Sequence, residues 1–251
     1  VRVSQQPGFV LHSRHYSETS LILEVFTREQ GRLGLLAKGA RRRSSPWQGM
    51  LKPFQPLLLS WTGRSDLALL IGAETEGAAI ALDVDSIYCG FYLNELLMRL
   101  LHRHDPHERL FDAYRSALRA LAGAAVPEIV LRIFEKNLLS DIGYGLVLDR
   151  DIQDNAPLVP EALYEYVLDQ GPVRVVDSDL HRPPRGIRVH GESLLALALE
   201  QLLVPRALRE TKLLVRAALS RHLGGRPLHS RRLYQHIQAL RSRRGGSDSP
   251  T

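Results

Sequence analysis

Four cations fall within six residues at Lys38-Gly39-Ala40-Arg41-Arg42-Arg43, with Ser44-Ser45-Pro46 and Trp47 directly after them. Closely spaced cations on a glycine-containing connection can track a phosphate backbone, because glycine lets the main chain approach and each cation displaces a counterion. Trp47 offers a ring on which a base could stack. The same run also reads as a solvated loop whose tryptophan packs inward. A second cationic set comes at helical spacing. Arg209, Lys212 and Arg216, with Arg206 nearby, lie opposite Thr211, Leu214, Val215, Ala218, Leu219 and His222, and Arg221, Arg226, Arg231 and Arg232 extend the set. Such a stripe either holds nucleic acid or keeps a helix solvated.

Other chemistry-bearing residues do not assemble. His102, His104 and His107 straddle the helix breaker Asp105-Pro106, whereas metal ligands must converge. Asp149, Asp151 and Asp154 begin like a calcium loop, but its glycine position is Asp154 and no glutamate closes it. The chain has no phosphate-binding P-loop, dinucleotide fingerprint or nucleophile elbow, and no Ser, His and Asp spacing places a triad. These residues predict a binding protein rather than an enzyme, with no metal and no cofactor.

Short strands precede and follow the cationic run. Alternation puts Leu21, Leu23 and Val25 on one face, then Leu33, Leu35 and Ala37, then Leu57, Leu59 and Trp61, and Leu67, Leu69 and Ile71 follow in the same way. With Phe9 to His12 this makes five strands, separated by turn signals at Glu29-Gln30-Gly31 and Thr62-Gly63-Arg64. Five strands in about 80 residues predict a small barrel, of OB or SH3-like type, with the OB barrel the commoner. After Asp83 the period becomes helical. Leu93, Leu96, Leu97, Leu100 and Leu101 mark a helix over 87–103, Asp105-Pro106 ends it, and helices are expected over 107–122 and, opened by Pro127, to 142. Residues 145–190 show little periodicity and read as an irregular insertion. Helices resume at 192–202, 205–222 and 230–241, before a Gly/Ser-rich tail over 243–251 that is expected to be disordered. The expected fold class is α+β multidomain, a five-stranded OB-fold β-barrel over 1–80 followed by an α-helical domain over 81–242.

The chain has 251 residues, 44% of them hydrophobic, enough to bury a core. No run approaches the length a membrane span needs. The start, Val1 to Val10, lacks the charged stub and apolar core of a secretory signal, and one cysteine, Cys89, leaves no internal disulfide and no multi-cysteine zinc site. A cytoplasmic location is expected, with Cys89 a small core residue. Net charge is +6, but it is unevenly placed: +4 over 1–80, −7 over 81–200 and +9 over 201–251. Basic ends around an acidic middle predict a polyanion that meets the ends. Of 33 cations 29 are arginine, which grips phosphate bidentately, though genomic base composition favours arginine as well.

Phe9-Val10-Leu11-His12-Ser13-Arg14, Tyr16-Ser17-Glu18-Thr19-Ser20, Val25-Phe26-Thr27 and Ala37-Lys38-Gly39-Ala40-Arg41 occur in that order. Pro53-Phe54, Pro56-Leu57-Leu58-Leu59, Asn94-Glu95-Leu96-Leu97, Leu131-Arg132-Ile133-Phe134-Glu135, Gly143-Tyr144-Gly145 and the run from Leu223 to Arg231 follow. This ordered set resembles the bacterial recombination protein RecO family over nearly the whole chain. The resemblance implies an N-terminal OB-fold, a helical C-terminal domain and a non-catalytic recombination mediator. Such a mediator binds single- and double-stranded DNA and anneals complementary strands. With RecR, and in some pathways RecF, it helps RecA load onto strands coated by single-strand-binding protein, and a nucleoid association follows. Some family members carry a four-cysteine zinc module after the Gly-Tyr-Gly segment; residues 145–190 hold no cysteine here, so zinc is not expected.

On that reading Arg14, Lys38, Arg41, Arg42 and Arg43 hold one strand, and Arg209, Lys212 and Arg216 form another DNA path. The acidic tail of single-strand-binding protein would meet a cation at the rim of an apolar pocket on the helical domain, with Arg132 the first choice and Lys136 the second. Arg132 also has intrahelical partners at Glu128 and Glu135. Two other classes stay open: an RNA-binding OB protein, and a metal-dependent DNA-processing enzyme, for which only the acids of 149–154 are on offer.

Overall fold

The computed structural model describes residues 2–63, 66–176, 182–224 and 227–230. Five strands, β1 (Arg2–Tyr16), β2 (Ser20–Thr27), β3 (Gly31–Ala37), β4 (Leu57–Thr62) and β5 (Leu67–Thr75), close a barrel in the order β1-β2-β3-β5-β4. Every pairing is antiparallel except β3 with β5. This closure, with its single parallel seam, is OB-like and settles the choice that alternation leaves open. Val10, Leu23, Val25, Leu33, Leu35, Leu57, Leu59 and Trp61 fill the barrel, as their period of two requires.

β5 departs from the expected phase. Ala68 and Leu70 point inward and are buried, whereas Leu67 and Ile71 are 36% and 39% exposed on the outer face. Leu67-Ala68-Leu69-Leu70-Ile71 is apolar at both parities, so alternation has no contrast from which to choose a face. A bulge also skips Ile71 between the pairs Trp61–Leu70 and Ser60–Gly72, reversing the parity beyond it.

Three helices follow the barrel: α1 (Ser86–Leu100), α2 (Glu108–Ala122) and α3 (Pro127–Asp141). Asp83 starts the first, its Oδ1 accepting the N–H groups of Asp85 and Ser86. Pro127 opens the third where its missing N–H costs nothing. Cys89 is half-buried on α1. Phe111 and Tyr114 of α2 pack on the outward-facing Phe9 and Phe26, at ring-centroid distances of 5.2 to 6.3 Å. The barrel and the first two helices therefore share one compact unit. It comprises Val1–Ala124 and Arg226–Thr251, with residues 227–230 the described part of the latter; the other unit is Ala125–Gly225.

The second unit corrects the reading of residues 145–190 as irregular. β6 (Leu163–Val167), β7 (Gly171–Arg174) and β8 (Ile187–His190) form an antiparallel sheet in the order β7-β6-β8. Strands of four or five residues are too short to show a period in sequence. Tyr164 and Tyr166 are their buried face, and their hydroxyls accept the main-chain N–H groups of Val159 and Val147, each at 2.9 Å. α4 (Gly191–Ala198) and α5 (Pro205–His222) complete the unit, with Thr211, Leu214, Val215, Ala218 and Leu219 of α5 buried as the helical period predicts. His222, expected with them, is half-buried and stacks on Tyr144. The helix expected over 230–241 and the tail over 243–251 lie outside the described residues beyond Ser230. No described helix is long and apolar enough to cross a membrane.

Asn94 accepts the Tyr114 hydroxyl at 2.5 Å and donates to the Leu11 carbonyl at 2.9 Å, and all three groups are buried. Asn94→Ala strands both neighbours and lowers unfolding free energy by about 2–4 kcal/mol, while Tyr114→Phe strands one and costs about 1–2; denaturant midpoints rank the two. Burial alone would raise the Glu210 carboxyl, but bonds from Ser193 Oγ and from the His190 N–H and ring outweigh it and hold the group below the ordinary glutamate value of 4.5. Its contribution is complete above that value and is lost as pH falls below it. Amide exchange at His190 should accelerate over that acid range, and Glu210→Gln should flatten the dependence.

Candidate nucleic-acid interface

The outer face of the barrel is half covered. At one end Phe9 and Phe26 lie under α2, and Arg32 and Arg103 both pair with Glu24. Gly31 turns there with φ +64, and a Cβ on it would come within 1.9 Å of the Asp105 carbonyl oxygen, so only glycine fits. At the other end the face buries Ile22 but carries exposed cations. Arg14 pairs across with Ile22, which pairs with Leu36, and Lys38 follows two residues on, past the end of β3. Leu36 pairs with Leu69, so the outward apolar row of β5 continues this surface.

The cationic run is a series of linked turns beside that face. Gly39 enters it with φ +69. Arg42 N–H donates to the Gly39 carbonyl at 3.0 Å, Ser45 N–H to that of Arg42 at 2.9 Å, and Met50 N–H to that of Trp47 at 3.1 Å. Arg41 fastens the run to the β1–β2 turn, its N–H donating to the Thr19 carbonyl at 2.9 Å and its Nη1 to the Glu18 carbonyl at 3.0 Å. Lys38, Arg41, Arg42, Arg43 and Arg14 are all exposed, and none makes an ion pair among the described residues. Trp47 is not the stacking ring. It packs with Met50 against the barrel core, as the inward alternative has it. The exposed ring here is Tyr16, 51% exposed at the end of β1 on the same outward parity as His12 and Arg14. Sequence reasoning passed over Tyr16 as a ligand-facing ring, although its place between Arg14 and the turn Ser17–Thr19 is visible in the chain.

The helical cations are placed differently. Arg209 is exposed and makes no ion pair among the described residues. Lys212 pairs with Glu128 of α3, Arg206 with Glu192 of α4, and Arg221 with Asp169 at 2.6 Å. The hydrogen bond from Lys212 comes first in holding the Glu128 carboxyl below its ordinary range, and the charges of Arg132 and Arg216 add to it. The stripe on α5 thus faces carboxylates supplied by the acidic middle of the chain, which a local count of charge cannot register.

Arg132 is 5% exposed and pairs with Glu135, which is fully buried; the intrahelical partner named from sequence is in place. Nε and Nη1 of Arg132 make no hydrogen bond among the described residues. Lys136 pairs with Glu200 at 2.6 Å, on the connection that also exposes Leu199 and Leu203.

The acids of 149–154 serve the backbone. Asp151, buried, accepts the N–H groups of Gln153 and Arg174, each at 2.8 Å, Asp154 accepts that of Ala156, and Asp149 pairs with Arg150. No group of three or more His, Cys, Asp or Glu among the described residues could hold a metal ion. The donor set of a four-thiolate zinc module is missing from 145–190, where no cysteine stands.

Residues 1–78 match the family model described as Recombination protein O N terminal, and residues 81–232 that described as Recombination protein O C terminal. A DNA repair protein RecO of Nitrosococcus oceani is 47% identical over 240 residues, 96% of this chain and 96% of that one. Those of Nitrosospira multiformis and Methylococcus capsulatus are each 45% identical, over 95% and 93% of this chain and 98% and 94% of their own.

Proposed function

The chain belongs to the RecO family of DNA repair and recombination proteins, and from that premise we propose that it is a non-catalytic recombination mediator which binds single- and double-stranded DNA and anneals complementary strands. The observation that carries this reading is the exposed cationic rim of the barrel. Five exposed cations there have no carboxylate partner among the described residues, and an exposed aromatic ring stands beside them. Annealing brings two polyanions together, so cations must neutralise both backbones while the base edges stay free to pair. Arg14, Lys38, Arg41, Arg42 and Arg43 grip one strand by its phosphates, and Tyr16 stacks on a base face without touching its pairing edge. DNA binding is assigned to the barrel domain, 1–80, and partner binding to the helical domain, 81–242. A second strand runs along α5, where Arg209 is open and where Lys212 and Arg216 exchange the carboxylate of Glu128 for phosphate.

The protein works with RecR, and with RecF where present, to help RecA load onto DNA coated by single-strand-binding protein, in the cytoplasm at the nucleoid. The acidic tail of that coat protein docks near Arg132. What supports this is a nearly buried guanidinium whose Nε and Nη1 find no acceptor among the described residues, since unpaired buried donors are costly and a carboxylate would relieve them. Leu199 and Leu203 supply apolar surface in the same unit, and Lys136 lies one turn from Arg132.

Changing Arg41, Arg42 and Arg43 together to Ala should weaken single-strand binding and flatten its slope against log salt by up to about three units. Lys212→Ala should move the slope by well under one, because its charge is already met. Titrations at several salt concentrations separate them, and an unchanged slope in the triple variant would move the site off the barrel. Annealing of coated oligonucleotides should require the coat protein's acidic tail. Arg132→Gln should abolish that dependence yet leave annealing of naked strands intact, which also reports that the fold has survived.

A further inference from the structure

β5 carries an apolar row that the barrel core does not use. Its inward residues, Ala68 and Leu70, complete the core, while Leu67, Leu69 and Ile71 lie on the outer wall. Elsewhere on that wall large apolar residues are covered: Phe9 and Phe26 lie under α2 and are fully buried. Leu67 and Ile71 instead stay exposed, and Leu69 and its neighbour Leu36 are only half-buried. A contiguous row of this kind gains little from folding, so it marks a surface with a ligand of its own.

The pairings fix what borders the row. Leu69 pairs with Leu36, Leu36 with Ile22 and Ile22 with Arg14, so Arg14 stands three strand spacings from Leu69, about 14 Å along the sheet. β3 and β5 are parallel, so Lys38 and Ile71 each lie two residues beyond the Leu36–Leu69 pair and toward the same end. The bulge adds to the exposure of Ile71, because it takes that residue out of the ladder between Trp61 and Ser60. Arg14 and Lys38 are exposed and make no ion pair among the described residues. Two exposed acids mark the ends of the row, Asp66 just before β5 and Glu74 near its close. A polyanion is therefore drawn across β5 from the side of Arg14 and Lys38, and is turned away from running along it.

An apolar ridge bordered by unpaired cations fits a ligand with apolar faces and anionic links between them. A single strand of nucleic acid is such a ligand, whereas in a duplex the base faces are stacked on one another and out of reach. Cations on the rim neutralise phosphates in either form and cannot tell the two apart. We propose that Leu69 and Ile71 are specificity-determining residues of the barrel, packing on the faces of unpaired bases so that it holds a single strand in preference to a duplex. This rests on the DNA binding proposed above and adds the means of discrimination. The ridge touches base faces and not pairing edges, so a held strand still meets its complement. Once paired and stacked, the product loses the apolar contact and keeps only the phosphate contacts, which favours its release from this surface.

The test compares the full chain with Ile71→Ser and with Leu69→Ser, on an unstructured single-stranded oligonucleotide and on a blunt duplex of the same length, at several salt concentrations. Ile71→Ser changes an exposed residue outside the ladder and decides the matter should Leu69→Ser unfold the barrel; thermal melting reports on both. Each folded variant should bind the single strand about five- to tenfold more weakly, with the slope against log salt unchanged because no cation is lost. Duplex affinity should stay within about twofold of wild type, since its contacts are to phosphate. Unaltered single-strand affinity would overturn the assignment and leave the ridge to a protein partner. An equal loss for strand and duplex, in a variant that melts as wild type does, would overturn the discrimination. If the wild-type chain bound neither form, the inference would fall with the proposed function. If R41A/R42A/R43A kept the wild-type slope while I71S lost the single strand alone, the cationic rim would be refuted and the ridge upheld.

Discussion

The bulge in β1 leaves the Leu11 carbonyl without a partner on β2, between the pairs Val10–Val25 and His12–Glu24, and Asn94 of α1 satisfies it. Much of the first unit depends on that bond. The bulge changes the parity of β1, so Phe9 points outward to meet α2 while Val10 still fills the barrel. Asn94 in turn holds the Tyr114 hydroxyl, whose ring packs on Phe9 and Phe26. A buried carbonyl, a buried amide and a buried phenol are each costly alone, and together they select one placement of the helix pair. That placement decides which part of the barrel's outer face is roofed. It also turns Glu95, the next residue on α1, toward the segment at Pro227–Ser230.

Charge compensation then divides the two cationic regions that look alike in sequence. An exposed ion pair adds little to stability, so the pairs on α5 are not there as major struts. Their effect is on availability: a lysine already facing Glu128 must give up that carboxylate before it neutralises a phosphate. In the barrel loop, Arg41 instead spends its spare donors on the neutral carbonyls of Glu18 and Thr19. It is thereby oriented without losing its charge. Neutral acceptors at the rim and acidic acceptors on α5 are a physical difference that formal charge, +4 over the first 80 residues and +9 over the last 51, does not express.

The barrel strands and the helices were legible because apolar side chains recur at periods of two and 3.6 over stretches long enough to count. The phase of β5 was not, since Leu67 to Ile71 is apolar throughout and its bulge leaves no mark in composition. Nor was the sheet of the second unit, whose buried face in β6 amounts to Tyr164 and Tyr166. At the candidate site, Lys38 to Arg43 stood out as a run, and their exposure follows from the turns that carry them. Pairings such as Lys212 with Glu128 and Glu95 with Ser230 join residues 84 and 135 positions apart, and no local window contains both partners. Trp47 turns toward the core and Tyr16 toward solvent for a similar reason. Which ring reaches solvent is decided by the barrel's closure, not by proximity to arginine.

The stretch 145–190 shows how a region without strong periodicity, and without the cysteines of a zinc module, is nevertheless held in place. Its links run from side chain to main chain. Asp151 joins the turn at Gln153 to β7 at Arg174, and Glu165 accepts the Gly186 N–H at 2.6 Å. The Tyr164 and Tyr166 hydroxyls reach back to Val159 and Val147. Each link satisfies a main-chain donor that a short sheet leaves over, so Asp151 and Glu165 are engaged by the fold. The same engagement bears on Asp149, Asp151 and Asp154 as the acids of a metal-dependent nuclease. Such chemistry needs carboxylates that converge on a common point, and Asp151 and Asp154 turn toward backbone N–H groups while Asp149 faces Arg150.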